Sequence, residues 1–319
     1  MRSLITGIDG FIGSWLAEAL RAAGDQVFGL TRRRAAGQGA GADGEAEGVV
    51  RLVGDLTARP ALADAVAAAR PDRVFHLAAL NNIAASFADP ALTIETNVSG
   101  SLNLFDEVRR SAPAAAVVSV GSSAEYGKTA AETAPLTEDL PLLPTSPYGV
   151  SKVSQGQLCR IYADVHGLRA IHVRPFAIIG PRKTKDALSD FCRNVVAIER
   201  GETDRFSVGP LTSERDFVDV RDAVAALLLI SENGTPGTTY NLCNGRAATL
   251  EAVLSLLQGL SRRPFHPLPD PARLRPADDR RIVGDSSRLR ALGYAPRFSL
   301  AETVSATLDF WRTETGRSS

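Results

Sequence analysis

The stretch "TGIDGFIG" at residues 6–13 constrains this chain more than any other feature. Gly7, Gly10 and Gly13 stand directly after a short apolar run, "RSLIT" (2–6), and at the opening of a helical pattern, "FIGSWLAEALRAAG" (11–24). Glycine is needed where a strand turns sharply into a helix, where backbone approaches a pyrophosphate, and where helix and strand pack closely. The free N–H groups and positive dipole at such a helix start then face phosphate. A glycine triplet alone is a weak sign, and the strand–loop–helix setting gives it weight. Gly7, Gly10, Phe11, Ile12 and Gly13 are therefore candidate cofactor contacts.

Beyond the glycine loop, short apolar strands alternate with helices, the pattern of a parallel sheet covered on both faces. "QVFGL" (26–30), "VVRLVG" (49–54), "RVFHLA" (73–78), "AAVVSVG" (115–121) and "RAIHVRPF" (169–176) read as strands. Helices are expected over 60–70, 91–111 and 147–167. The expected class is α/β. A Rossmann-type doubly wound parallel sheet would occupy 1–176. A smaller C-terminal α/β lobe over 177–319 would bind substrate and return elements to the first. "RRRAAGQGAGADGEAEG" (32–48) is low in complexity and reads as a surface loop.

Composition narrows the function. Lys+Arg and Asp+Glu are both 36, a formal charge of zero, so no global attraction to nucleic acid or membrane is expected and any anion site is local. Three cysteines (Cys159, Cys192, Cys243) and four histidines lack ligand or redox spacing, so no metal is expected. The longest apolar run, "AVAALLLI" (223–230), is too short to span a bilayer, and no signal peptide precedes the glycine loop. A soluble cytoplasmic protein is the expectation.

The end of the second strand reports the dinucleotide. An acidic residue there accepts a ribose hydroxyl of NAD, whereas arginine accommodates the 2′-phosphate of NADP. Thr31 is followed here by Arg32, Arg33 and Arg34. The balance favours NADP(H) held by Arg32 and Arg33, with NAD(H) as the alternative. Asp55 and Leu56, after the third strand, could hold and cover an adenine, or simply cap a strand end. Tyr148 and Lys152 lie four apart, on one face of a helix.

The motifs "TGIDGFIG", "GDLT", "HLAAL", "TNVSG", "SVGSSAEYG" and "SPYGVSK" resemble, in order and spacing, the extended short-chain dehydrogenase/reductase family that acts on nucleotide sugars. In the second half "VRPFAIIGP", "SERDFVDVRDAVAALLLI" and "YNLCNG" are similar to the branch holding GDP-mannose 4,6-dehydratase and GDP-4-keto-6-deoxymannose reductase. The resemblance implies that Tyr148 is the acid/base and that Lys152 binds nicotinamide ribose while lowering the tyrosine pKa. It implies that Ser122 hydrogen-bonds the substrate oxygen, with Ser123 as the alternative in a register shifted by one. It places Leu77, Ala78 and Ala79 at the cofactor, and Arg215 and Arg275 on the nucleotide diphosphate and ribose. It also implies a homodimer built on the helices at 91–111 and 147–167.

Two positions depart from the family pattern. The dehydratase glutamate that takes the C5 proton is replaced by Ala124, with Glu125 one place later. On an extended segment that shift would turn Glu125 to the opposite side. In "RPFAIIGPR", Ala177 stands for an asparagine that touches the sugar nucleotide, and Arg182 for a glycine. The implied activity is NADPH-dependent reduction of the C4 keto group of a GDP-linked 4-keto-6-deoxyhexose, giving GDP-D-rhamnose or its C4 epimer for polysaccharide synthesis. The alternatives are a 4-epimerase or 4,6-dehydratase and, in another class, a non-catalytic dinucleotide sensor.

Overall fold

Thirteen strands and twelve α-helices follow one another through residues 1–32, 48–133, 135–270 and 281–314, the part of the chain that the computed structural model describes. The strands are β1 (Arg2–Thr6), β2 (Gln26–Thr31), β3 (Val49–Val53), β4 (Arg73–His76), β5 (Ala116–Val120), β6 (Arg169–Pro175), β7 (Ala177–Ile179), β8 (Phe206–Val208), β9 (Glu214–Asp219), β10 (Thr239–Leu242), β11 (Ala247–Thr249), β12 (Pro267–Pro269) and β13 (Arg281–Ile282). The helices are α1 (Phe11–Ala22), α2 (Arg59–Ala69), α3 (Ile83–Ala88), α4 (Pro90–Ile94), α5 (Gly100–Ser111), α6 (Thr129–Glu132), α7 (Pro147–His166), α8 (Ala187–Arg200), α9 (Val220–Asn233), α10 (Leu250–Leu260), α11 (Ser287–Arg290) and α12 (Leu300–Glu314).

Seven strands form one parallel sheet in the order β10-β6-β5-β4-β1-β2-β3. The order reverses beside β1, whose register pairs Thr6 with Leu30 on one side and with His76 on the other. In open α/β sheets the ligand crevice lies at that switch, beyond the carboxyl ends of the strands. β4 and β5 are buried along their whole length, as central strands covered on both faces must be. The strands expected from the sequence are all present, with ends within one or two residues.

The helix expected over 91–111 is interrupted. α4 and α5 are joined by one π-helical turn, Glu95–Ser99. Such a bulge re-aims side chains and is frequent at functional sites. Here it turns Asn97 inward, where it is 1 % exposed.

Elements after residue 176 return to the first sheet. β10 extends the main sheet beside β6, and α9 packs on α1 and β5. Val218, Val224, Tyr240 and Leu289 share one apolar core with Ile5 and Phe75. A separate core joins α8, α10 and α12, where Phe206 stacks on Phe265 with ring centroids 4.6 Å apart. The second sheet is centred on β9, which pairs with β7, β11 and β13.

Candidate active site

The turn after β1 leaves room for backbone alone. Gly7 has φ +75°, and a Cβ there would lie 2.8 Å from the Ala78 nitrogen. A Cβ on Gly13 would lie 2.8 Å from Ile8 Cα. Gly10 donates to the Gly7 carbonyl (3.0 Å), and no side chain caps the start of α1. Phe11 and Ile12 pack their side chains against the core, so this helix start offers main-chain N–H groups. An uncapped helix start over a cradle that any Cβ would fill suits a pyrophosphate. The loop meets the end of β4, where Leu77 N–H donates to Thr6 O (3.1 Å) and Ala78 N–H to Thr6 Oγ1 (3.2 Å). Leu77, Ala78 and Ala79 are half-buried.

At the end of β3, Asp55 Oδ1 accepts from Thr57 N–H (2.8 Å) and Thr57 Oγ1 (2.7 Å). The Thr57 N–H holds this carboxyl below the usual range, and the exposed Arg32 adds to that. Leu56 is 5 % exposed and packs in the core with Leu30 and Leu104. Its carbonyl accepts from Asn103 Nδ2 (2.9 Å). Arg33 and Arg275 lie outside the described residues.

The opening turns of α7 carry the Tyr148–Lys152 pair. Ser146 caps the helix by accepting from Gly149 N–H (3.1 Å), Pro147 pre-sets the first turn, and Gly167 closes the far end at φ +69°. Tyr148 and Lys152 are 7 % and 2 % exposed, and Lys152 Nζ lies 5.9 Å from the Tyr148 ring centroid. Nζ donates to Val120 O (2.9 Å) and to Gln155 Oε1 (2.8 Å). Gln155 in turn donates to Ser119 Oγ (2.9 Å). The Ser122 side chain neighbours the Tyr148 phenol and acts to lower its pKa, whereas Ser123 opens the next turn with its carbonyl accepting from Tyr126 N–H (3.1 Å).

The protein's own groups move both pKa values in directions of their own. Burial pushes the Tyr148 phenol up to about 12, against the pull of the Ser122 side chain and with the Glu125 charge adding to the rise. Burial brings Lys152 down to about 8, opposed by Glu125. In the protein alone, desolvation of the phenolate is the largest influence on Tyr148.

Three features are not apparent from the sequence. Asn97, within "TNVSG", accepts from Leu80 N–H (2.8 Å) and donates to Leu80 O (3.0 Å) and Ser151 Oγ (2.9 Å). Ser151 donates to Tyr148 O (2.7 Å), which ties Asn97 to the first turn of α7. A second buried chain reaches Asn97 from β1. Ser101 Oγ donates to Asn97 O (2.5 Å), so His76 Nε2, 2.9 Å away, must donate to Ser101. His76 Nδ1 then accepts from Thr6 Oγ1 (2.8 Å). Burial takes the His76 pKa to about 3, consistent with this neutral tautomer. The third feature is Glu125. Its segment is not extended but a single 3₁₀ turn, Ser123–Glu125, and the carboxylate is fully buried. It accepts from Ser122 N–H (2.9 Å), His172 Nε2 (3.0 Å) and Arg174 Nε (2.7 Å). The alternation expected of an extended segment therefore does not apply, and the inward ion pair is what keeps Glu125 from an open cleft.

Of the departures, Arg182 is explained by its neighbours. It keeps a glycine-like φ of +75°, yet its guanidinium forks onto Glu18 (2.7 and 3.1 Å) and lies 4.4 Å from the Trp15 ring centroid. The Trp15 indole N–H donates to Pro181 O (3.2 Å). Ala177 is half-buried at the start of β7, where its methyl offers no hydrogen bond. Arg215, on β9, is half-buried and donates to Glu214 O (2.9 Å).

Known proteins give this geometry a family. The model of the family described as GDP-mannose 4,6 dehydratase matches residues 4–307. The chain belongs to that family. It is thereby an enzyme of the extended short-chain dehydrogenase/reductase type, a group that uses NAD(P) and modifies nucleotide sugars. The chain is 32% identical over 244 residues to the GDP-6-deoxy-D-mannose reductase of Pseudomonas aeruginosa, covering 76% of this chain and 80% of that protein. It is 29% identical over 323 residues to the UDP-glucose 4-epimerase of Mycolicibacterium smegmatis, covering 98% and 99%. In structure it is similar to RMD from Pseudomonas aeruginosa complexed with NADPH (TM-score 0.84, 28% identity, 98% of this chain and 100% of that one). Among the described residues no helix is long and apolar enough to cross a membrane, and no cluster of three His, Cys, Asp or Glu could hold a metal ion.

Proposed function

We propose that this enzyme reduces the C4 keto group of a GDP-linked 4-keto-6-deoxyhexose, using NADPH. The observation that carries this reading is the pairing of Tyr148, Ser122 and Lys152 at a turn that lacks an elimination base. Ala124 offers a methyl where a dehydratase needs a carboxylate, and Glu125 is committed to His172 and Arg174. The likeness to a GDP-6-deoxy-D-mannose reductase supports the same substrate class.

The cofactor would lie on Gly7, Gly10 and Gly13, with Arg32 at the 2′-phosphate and Leu77 to Ala79 along its course, and when bound it supplies the hydride. Tyr148 gives its phenolic proton to the carbonyl oxygen as that oxygen gains negative charge. Ser122 hydrogen-bonds the same oxygen and orients it. Lys152, held by Val120 O and Gln155, stabilises the phenolate left behind and takes the ribose hydroxyls. Arg215 grips the diphosphate. Ketone, hydride and one proton give the alcohol, and solvent restores the phenol.

The test is incubation with GDP-4-keto-6-deoxymannose and NADPH, following NADPH absorbance and identifying the product by mass and NMR. Consumption of NADPH with formation of a GDP-6-deoxyhexose is expected. GDP-mannose with NADP should give no dehydrated product, and its appearance at catalytic turnover would sink the assignment. The near full-length likeness to a UDP-glucose 4-epimerase favours epimerisation as the second reading, which conversion of UDP-galactose without net cofactor change would establish.

A homodimer belongs to the same proposal. Phe87, Leu92, Leu102, Val150, Ile161 and Val165 are exposed apolar side chains on α3, α4, α5 and α7, and a second copy would cover them. Light scattering that gives a monomer mass at micromolar concentration would refute it.

A further inference from the structure

The charged residues behind Tyr148 and Lys152 are absorbed by no step above. Glu125 is fully buried, and its two oxygens are shared among three donors. Oε1 accepts from Ser122 N–H (2.9 Å) and His172 Nε2 (3.0 Å), and Oε2 accepts from Arg174 Nε (2.7 Å). Arg174 continues to Tyr126 OH (3.3 Å) and Glu138 O (3.0 Å), so the carboxylate is anchored in β6 and in the segment beyond the 3₁₀ turn. Ser122 answers by accepting from Ala124 N–H (3.1 Å). The turn that delivers the Ser122 hydroxyl to Tyr148 is thus closed at both ends by Ser122 and Glu125.

We propose that Glu125 is a positioning residue for proton transfer: its carboxylate, fixed by His172 and Arg174, holds the Ser122 turn against Tyr148 and sets a negative charge behind Lys152. This rests on the reading of Tyr148, Ser122 and Lys152 as the reacting group. A plain buried acceptor would satisfy Ser122 and His172 equally well as an amide. A carboxylate does something more, because its charge is felt across α7. The titratable groups that face it are His172 and Arg174 from β6, and Tyr148, Lys152 and Cys159 from α7. Burial depresses Lys152 to about 8, and the Glu125 charge opposes that fall. Taking the charge away lowers the Lys152 value further. The ammonium is then lost at a lower pH, and with it the donor for ribose hydroxyls.

The experiment follows NADPH binding by fluorescence from pH 6.5 to 10 in the unsubstituted protein, the Glu125→Gln variant and the Glu125→Asp variant. This readout needs no sugar substrate. The alkaline midpoint of binding should fall by roughly one pH unit in Glu125→Gln, the size expected of one nearby charge inside a protein, and Glu125→Asp should restore most of it. Should Glu125→Gln leave Arg174 unpaired and fail to fold, the same change is made in an Arg174→Gln background and its midpoint is read against Arg174→Gln alone, so that only the Glu125 charge differs. A folded variant lacking the Glu125 charge with an unmoved midpoint overturns the proposal. So does failure of both variants to fold, which would make the residue purely structural. A shifted midpoint in a protein that does not reduce the keto sugar leaves this inference standing and removes the reductase reading; turnover with an unmoved midpoint does the reverse.

Discussion

Each end of the central sheet carries a buried arginine on a buried carboxylate, and the two pairs differ in what lies next to them. At the amino ends, Arg73 NH2 meets Asp25 Oδ2 at 2.8 Å, with both side chains 5 % exposed. Ser3, Ser231, Glu232 and the chain's first amino group join that cluster, and none belongs to the candidate site. At the carboxyl ends, Arg174 meets Glu125 at 2.7 Å, and Glu125 also holds the main chain of Ser122. Taken as ion pairs the two are alike. Desolvation consumes much of the Coulomb gain in each, so neither explains the fold's stability by itself. Placement makes the difference, because only the second is one hydrogen bond away from a group that touches the proposed substrate.

The largest effect belongs to the carboxyl end. Tyr148→Phe should fold and bind cofactor yet lose turnover by ~10²–10⁴-fold, the usual contribution of a general acid. Steady-state kinetics beside a thermal melt checks this, and near-native kcat would end the assignment. Next come the two arginines. Arg73→Met and Arg174→Met each strand a buried carboxylate and should each cost about 3–5 kcal/mol of stability in chemical denaturation. Assayed cold, where both remain folded, only Arg174→Met should lower kcat. Equal losses would erase the contrast between the ends.

Cofactor choice is expected to be smaller and to involve neither pair. Arg32→Ala removes a charge-assisted contact of about 1.5–3 kcal/mol, so the preference for NADPH over NADH should shrink by tenfold or more in kcat/KM. An unchanged ratio would move the 2′-phosphate site elsewhere. The smallest effect is the response to acid at the amino end. Burial raises the Asp25 carboxyl, but Ser3 and Arg73 outweigh it and leave the pKa below its ordinary value. A carboxyl depressed in the folded state stabilises above its unfolded pKa, about 3.9, and that contribution is lost as pH falls through the folded value. Asp25→Asn should therefore flatten the loss of stability below about pH 4 in urea titrations. A slope identical to that of the parent protein would show that the pair carries no pH dependence.

The sheet was legible because its central strands are continuous apolar runs punctuated by glycine. The glycine loop was legible because its chemistry demands bare backbone. Tyr148 and Lys152 took on meaning through the family resemblance of "SPYGVSK", since a phenol and an amine four apart on a helix are common by themselves. The π turn at Glu95–Ser99 was not legible, since one extra residue in a helix leaves no local pattern and is decided by what Asn97 reaches. What withdraws Glu125 was not legible, because side-chain alternation presumes an extended chain and a three-residue turn obeys other rules. Arg182 looked like an intrusion into a glycine position. Its cation instead offsets the strained φ by pairing with Glu18 and covering Trp15, partners 164 and 167 positions distant in the chain, beyond any local reading.

That last contact gives the protein an optical gauge. The chain has two tryptophans. Trp15 lies on α1 and is held from the far side of the chain by Pro181 and Arg182, the segment that leads from β7 into α8. Trp311 sits on α12 with Arg193 over its ring at 5.0 Å, inside the second core. A displacement of the 180–183 segment against α1 would separate the Trp15 indole from its carbonyl and its cation together, while Trp311 keeps its surroundings. Emission from a Trp311→Phe variant would thus follow that joint in real time, without any label and independently of which sugar nucleotide is added.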